Sequence, residues 1–366
     1  MGKEKLIMKT YPDKFFVILF LGLGHGLNDL IAGYFLGSLV QAKTDLIQIS
    51  IGLLMYNLLA FGGQYPVAIW MEKFQSPRRF LVSSYILNIA AIGIFTFLPQ
   101  VSIVLSGIAS AIYHVAGGSV CAEKNKAFNI GIFAAPGVAG LIMGGYFAHE
   151  NIFINGWLLA AALIVLIFLI TLSFPAAPSF TGLKEEKGIS NKFRLDRHDY
   201  IMILLLTVIS LRSVIWDIYQ LIHENNYSWL IAIAAAAFVG KIAGGWLADR
   251  IGWRIYTFIS LITAMPLITF FKNELLLFCI GIGLLQSGIP ATTSLLILAM
   301  KGKKERAVGI SFGAAIMIGA ILFFSTARNL LLTNTFIWII ASFMLVILFF
   351  ARNTNVVFRK GNEQRR

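Results

Sequence analysis

Apolar stretches of about 20 residues recur from Phe15 almost to the C-terminus, and few folds can accept them. A hydrocarbon layer about 30 Å thick is crossed by a helix of about 20 apolar residues, and inside it each backbone polar group must find its partner within the helix. The chain is 58% hydrophobic and 13% charged over 366 residues, whereas a soluble domain carries about 25% charged residues. An all-α membrane protein is the expected fold class.

Apolar runs set against polar interruptions predict helices at about 14–38, 47–70, 79–98, 100–121, 130–149 and 154–174, then at about 200–222, 227–248, 255–271, 274–299, 308–327 and 334–351. Basic residues test that division, because cytoplasmic loops collect Lys and Arg. With both termini inside, the inner segments hold 25 basic residues and the outer ones only Lys43, Lys272 and Arg328, while the remaining two, Arg212 and Lys241, fall inside helices. The longest polar stretch, with Lys184-Glu185-Glu186-Lys187, separates six helices from six. The expected organisation is an N-terminal half at 1–174, a cytoplasmic linker at 175–199 and a C-terminal half at 200–366 ending in a basic tail. Such a plan suits a secondary transporter built from parallel repeats. The basic N-terminus (Lys3, Lys5, Lys9) runs into a full-length span without an obvious cleavage site, which predicts a retained first helix.

Several function classes drop out. The net charge of +13 is spread over short loops rather than one face, so no nucleic-acid partner is expected. Cys121 and Cys279 lie in separate apolar segments with no Cys/His spacing, so neither a disulfide framework nor a metal site is indicated. No phosphate-cradling loop, nucleophile with its base or paired-carboxylate site is present. The expectation is a protein that is not an enzyme, needs no cofactor and works as a monomer in the bilayer.

Small residues four apart at Gly22/Gly26, Gly33/Gly37, Gly140/Gly144, Gly240/Gly244 and Gly309/Gly313 allow close helix approach in lipid. Ionisable groups at mid-helix cost about 2.5–3.5 kcal/mol on insertion scales and so mark candidate function. His25 and Asp29 are four apart on one face of the first helix, with Asn28 beside them. The bland alternative is a His and an Asp that merely satisfy each other. Arg212 sits at similar depth in the seventh helix with Trp216 and Tyr219 on its face; either it meets Asp29 across the halves or it braces them. His114 could relay protons or serve packing. Lys241 is placed to snorkel to the inner surface. Gln286, Thr292 and Thr293, near Pro290 in the tenth helix, could line a wet cavity.

The run Gly244-Gly245-Trp246-Leu247-Ala248-Asp249-Arg250-Ile251-Gly252-Trp253-Arg254 resembles the loop signature of the major facilitator superfamily. Its counterpart in the first half reads Ala68-Ile69-Trp70-Met71-Glu72-Lys73, with Ala for Gly and Glu for Asp. The resemblance implies a gate formed by Glu72, Lys73, Gly245, Asp249, Arg250, Gly252 and Arg254, where ion pairs and a helix N-terminus favour one conformation. His25-Gly26-Leu27-Asn28-Asp29, Ser110 to His114, the glycines Gly137, Gly140 and Gly144 and the basic Arg212 further resemble the fosmidomycin-resistance branch. That resemblance implies proton-linked export of a small molecule, with His25, Asp29, His114 and Arg212 on the cavity wall. Departures at Val115-Ala116 and Ala134-Ala135-Pro136 fall on that wall, so fold carries over better than substrate.

The leading expectation is a proton-coupled exporter in the cell membrane, inner or plasma, with its partners limited to a small-molecule substrate, protons and lipid. The alternatives are proton-coupled uptake of a small organic anion, and a membrane scaffold or sensor that moves nothing.

Overall fold

The computed structural model describes residues 15–41, 46–74, 76–174, 197–223, 226–317 and 333–352. Helix α1 is Phe15–Gln41. The second span, α2, is built in pieces: Leu46–Asn57, a π-turn at Leu58–Gly62, and Gln64–Phe74. It is followed by α3 (Pro77–Ile94), α4 (Pro99–Cys121), α5 (Ala127–His149) and α6 (Gly156–Ser173). The later helices are α7 (Arg197–Ile222), α8 (Tyr227–Ile251), α9 (Trp253–Phe270) and α10 (Leu275–Ala299). Helix α11 opens with Lys304–Gly309 and a second π-turn at Ile310–Ala314, and α12 is Asn334–Arg352. Most of the linker, both termini, and the expected eleventh helix beyond Met317 lie outside the described residues.

Local chemistry sets the helix ends. Pro77 and Pro99 open α3 and α4, where a missing N–H costs nothing. Asn155 and Asn226 cap α6 and α8 by accepting from the Trp157 and Trp229 amides at 2.9 and 3.3 Å. Gly252, at φ 98°, ends α8 in a conformation that favours glycine.

Eight of these helices are long and apolar enough to cross a bilayer unaided. Helix α6 buries only Ala160, Leu163 and Ile170, while Trp157 is 85% exposed. On a soluble protein such a face would drive aggregation, but in a bilayer it faces lipid. The chain is a multi-pass membrane protein.

The glycine pairs all lie at helix crossings. A Cβ on Gly33, Gly140 or Gly144 would come within 2.0–2.2 Å of a backbone carbonyl oxygen across the α1–α5 seam. Gly240 and Gly244 serve α8 against α10 in the same way, and Gly309 and Gly313 serve α11 against α2. The two π-turns meet there, with Gln64 Nε2 donating to the Phe312 carbonyl at 3.1 Å. The periodicity of the apolar runs could not reveal either π-turn.

Candidate functional site: a histidine pair and a carboxylate on a central cavity

A cavity of about 570 Å³ lies at the centre of the bundle. His25, Asp29 and His114 line it from α1 and α4; Trp216, Asp217, Lys241 and Gln286 line it from α7, α8 and α10.

The first three converge. His25 Nε2 lies 2.9 Å from His114 Nε2 and 3.2 Å from Asp29 Oδ2, and His114 Nε2 is 3.9 Å from the same oxygen. His25 Nδ1 donates to the Phe133 carbonyl on α5 at 2.8 Å, and His114 Nδ1 donates to the Ser110 carbonyl at 2.8 Å. A carbonyl oxygen only accepts, so each Nδ1 carries a hydrogen and each neutral ring presents a bare Nε2 lone pair. Two lone pairs at 2.9 Å repel. One proton between them, beside the Asp29 carboxylate, would turn that repulsion into a charge-assisted hydrogen bond.

The surroundings fix this geometry. Asn28 Nδ2 donates to Asp29 Oδ1 at 2.8 Å, and Asn88 Nδ2 donates to Asn28 Oδ1 at 2.7 Å. Phe133 stacks on the His25 ring. Only glycine fits at 137, where a Cβ would stand 2.4 Å from His25 Nε2 and 2.8 Å from Asp29 Oδ2.

The structure brings together only some of the residues expected at the cavity. Trp216 and Gln286 are on its wall, whereas Tyr219, Thr292 and Thr293 are buried behind it. Arg212 is 1% exposed and is not among the lining residues. It packs against Gly288, and its Nη1 donates to Thr292 Oγ1 at 3.4 Å; no contact with Asp29 is formed. The depth expected for Arg212 is compatible with a cavity position, but the rotation of α7 turns it toward α10. Lys241 departs from expectation in the opposite sense. Instead of snorkelling to the surface it is buried, lines the cavity, and donates from Nζ to the Ala134 carbonyl at 3.4 Å. Helix α5 lies across its route out, so that a Cβ on Gly131 would meet the Lys241 carbonyl oxygen at 2.4 Å. Asp217, five positions from Arg212, is on the wall with an unpartnered buried Oδ2 among the described residues.

One end of the cavity is shut by contacts between the two sets of six helices. Asp249 Oδ1 and Oδ2 accept from the Ala127 and Phe128 amides at the α5 N-terminus, both at 2.9 Å, and Oδ1 also accepts from Trp253 Nε1 at 2.7 Å. The carboxylate there satisfies orphan amides and meets the positive end of the helix dipole. Gly245 lets α8 approach, since a Cβ would lie 2.5 Å from the Ala127 carbonyl oxygen. Glu72 Oε2 accepts from Arg306 Nε and Nη2 at 2.9 and 2.7 Å, and Lys304 pairs with Glu123. Arg250 stacks over Trp246, 3.6 Å from its ring centroid. From this closed end the cavity lining runs past Lys241 and Ser311 to Gln220 and Leu230.

This arrangement matches solved structures. A single-residue variant of the E. coli fucose:proton symporter FucP superposes with a TM-score of 0.70 at 16% identity, covering 94% of this chain and 99% of that one. The chain has the major facilitator fold. FucP in its outward conformation gives a TM-score of 0.61 at 17% identity over 89% and 97% of the two chains. A bacterial homologue of the iron transporter ferroportin, outward-facing, gives 0.56 at 14% identity over 95% and 99%. No protein-family profile matches the chain, and no curated protein sequence matches it.

Proposed function

We propose that this protein is a secondary active transporter that moves a small solute by alternating access, coupled to protons and working as an exporter. The observation that carries the reading is the His25–His114–Asp29 triad on the wall of a central cavity closed at one end by Asp249 and Glu72. A proton held between the two histidines is stored at the place where a solute would bind. Release on the other side then needs only that the closed end open and the far end shut. The two halves joined by the linker at 175–199 would be the moving bodies. With the termini inside, the shut end would be cytoplasmic and the far end would open outward.

Similarity to a protein named as a fucose:proton symporter supports proton coupling, and the motifs of α1, α4 and α5 support a place near the fosmidomycin-resistance branch. Uptake of a small organic anion is the second reading, favoured by Lys241 on the cavity wall.

A strain lacking the gene is challenged with a panel of toxic small molecules. Compounds with altered toxicity are then followed into proteoliposomes under an imposed pH gradient. Accumulation that depends on the gradient is the expected result, and its direction separates export from uptake. If the protein moves none of them in counterflow or under a gradient, the scaffold reading replaces transport.

A further inference from the structure

We propose that His25, His114 and Asp29 form a binding site for one divalent transition-metal ion of the zinc, cobalt or nickel class, open on one side to the central cavity. The donors are two imidazole nitrogens and a carboxylate oxygen, a set that suits these ions better than calcium or magnesium. Their separations of 2.9, 3.2 and 3.9 Å bracket the edge of about 3.3 Å expected between ligands held about 2.0–2.1 Å from a tetrahedral metal. All three donors are buried.

The supporting shell is that of a metal centre. Metal-bound histidines almost always donate their other ring N–H to a carbonyl or carboxylate; here both do, to Phe133 and Ser110. Asn28, held in turn by Asn88, occupies the second oxygen of Asp29 and leaves Oδ2 for the ion. Gly137 keeps the space beside Oδ2 and His25 Nε2 clear, so the fourth position is available to water or to a ligand atom from the cavity. Chain order hides this set because its donors come from α1 and α4 with no short His/Cys spacing. The ion needs both Nε2 lone pairs, so metal and proton would compete for the same atoms.

The test is equilibrium binding to the purified full-length protein in detergent with any histidine tag removed. Cobalt(II) is titrated and followed by its visible d–d absorption, then displaced by zinc, with X-ray absorption reading the ligands. One equivalent bound by two imidazoles and one carboxylate is expected. His114→Gln, His25→Gln and Asp29→Asn should each abolish stoichiometric binding in protein that still elutes as a single species, while the double change H149A/H223A keeps it. Asn88→Ala, which touches no ligand, should weaken binding roughly tenfold or more. No stoichiometric binding to monodisperse wild type, or binding that survives His114→Gln, overturns the proposal. No solute movement is involved, so a protein that transports but binds no metal loses this site and keeps its transport function, and the converse result separates them the other way.

Discussion

His25 and His114 present their Nε2 atoms to each other at 2.9 Å while the Nδ1 hydrogen of each ring is held by a backbone carbonyl. Neither ring can shift its Nδ1 hydrogen to Nε2 without breaking a buried hydrogen bond, worth about 1 kcal/mol and costing more when its partner is left unsatisfied. A proton placed between the two rings would relieve that opposition, with the Asp29 carboxylate 3.2 Å away as its counter-charge.

If that proton is the coupling ion, Asp29→Asn removes the compensating charge but keeps the shape of the site. Accumulation driven by a pH gradient should be abolished, while exchange of substrate for substrate persists, because exchange moves no net proton. Both modes are measured in the same proteoliposomes. An Asp29→Asn protein that still concentrates substrate in response to the gradient takes Asp29 out of the mechanism.

Gly137→Ala forces a Cβ to within 2.4 Å of His25 Nε2. Overpacking of this kind costs about 1–3 kcal/mol, and the triad must open to relieve it. Thermal unfolding in detergent should register the lower stability, and the coupled transport rate should fall far more than the rate of exchange. Wild-type rates would show that the triad geometry is not needed.

Asp249→Asn replaces one acceptor of the α5 amides with a donor and removes the charge at a helix N-terminus, for a loss of about 1–2 kcal/mol. That shifts the balance between closed and open states by about five- to thirtyfold. In protein lacking Cys121 and Cys279, a cysteine replacing Ser311 on the cavity wall should be labelled correspondingly faster from the cytoplasmic side, and turnover should slow with substrate affinity largely intact. Unchanged labelling would reduce the loop to ordinary packing.

Arg212 and Lys241 should exchange the roles that their positions along the chain suggest. Arg212→Met, behind the wall, should alter the packing of α7 on α10 and leave the pH dependence of transport in place. Lys241→Met removes a cation from the cavity that holds the triad, and a nearby cation opposes proton uptake, so the pH profile of transport should move to higher pH. Initial rates across a pH series decide between the two residues.

Reporters fused after Glu150 and after Lys187 should give opposite readings, outside and inside. The same reading from both would break the assignment of termini and linker to the cytoplasm.

The sequence disclosed much of the fold because bilayer burial and close helix contact leave one-dimensional marks. Apolar run length located the helices that the structure describes, and the glycines four apart fell on the α1–α5, α8–α10 and α2–α11 crossings. The pairing of His25 with Asp29 was legible from helical spacing alone. His114 was legible only as a lone buried group, since its approach to His25 depends on how α4 packs on α1. Arg212 and Lys241 mark the limit. Depth along a helix can be counted from the sequence, but the direction a side chain faces depends on neighbours far away in the chain. For Lys241 that neighbour is α5, which covers the inner part of α8; for Arg212 it is Gly288, whose missing side chain leaves room for the guanidinium.

Every atom of the triad, including the carbonyls that orient its rings and the asparagines that hold Asp29, belongs to α1, α3, α4 or α5. The glycine seam welds α1 to α5 at backbone contact, which makes the site a cartridge built wholly within the first six helices. Lys241, Asp217 and Gln286 sit on the opposing wall and belong to α8, α7 and α10. On the proposed alternating access, whatever loads and unloads the site would come from across the gap: the same three donors would meet a different opposing surface, and a different solvent, on each side of the membrane.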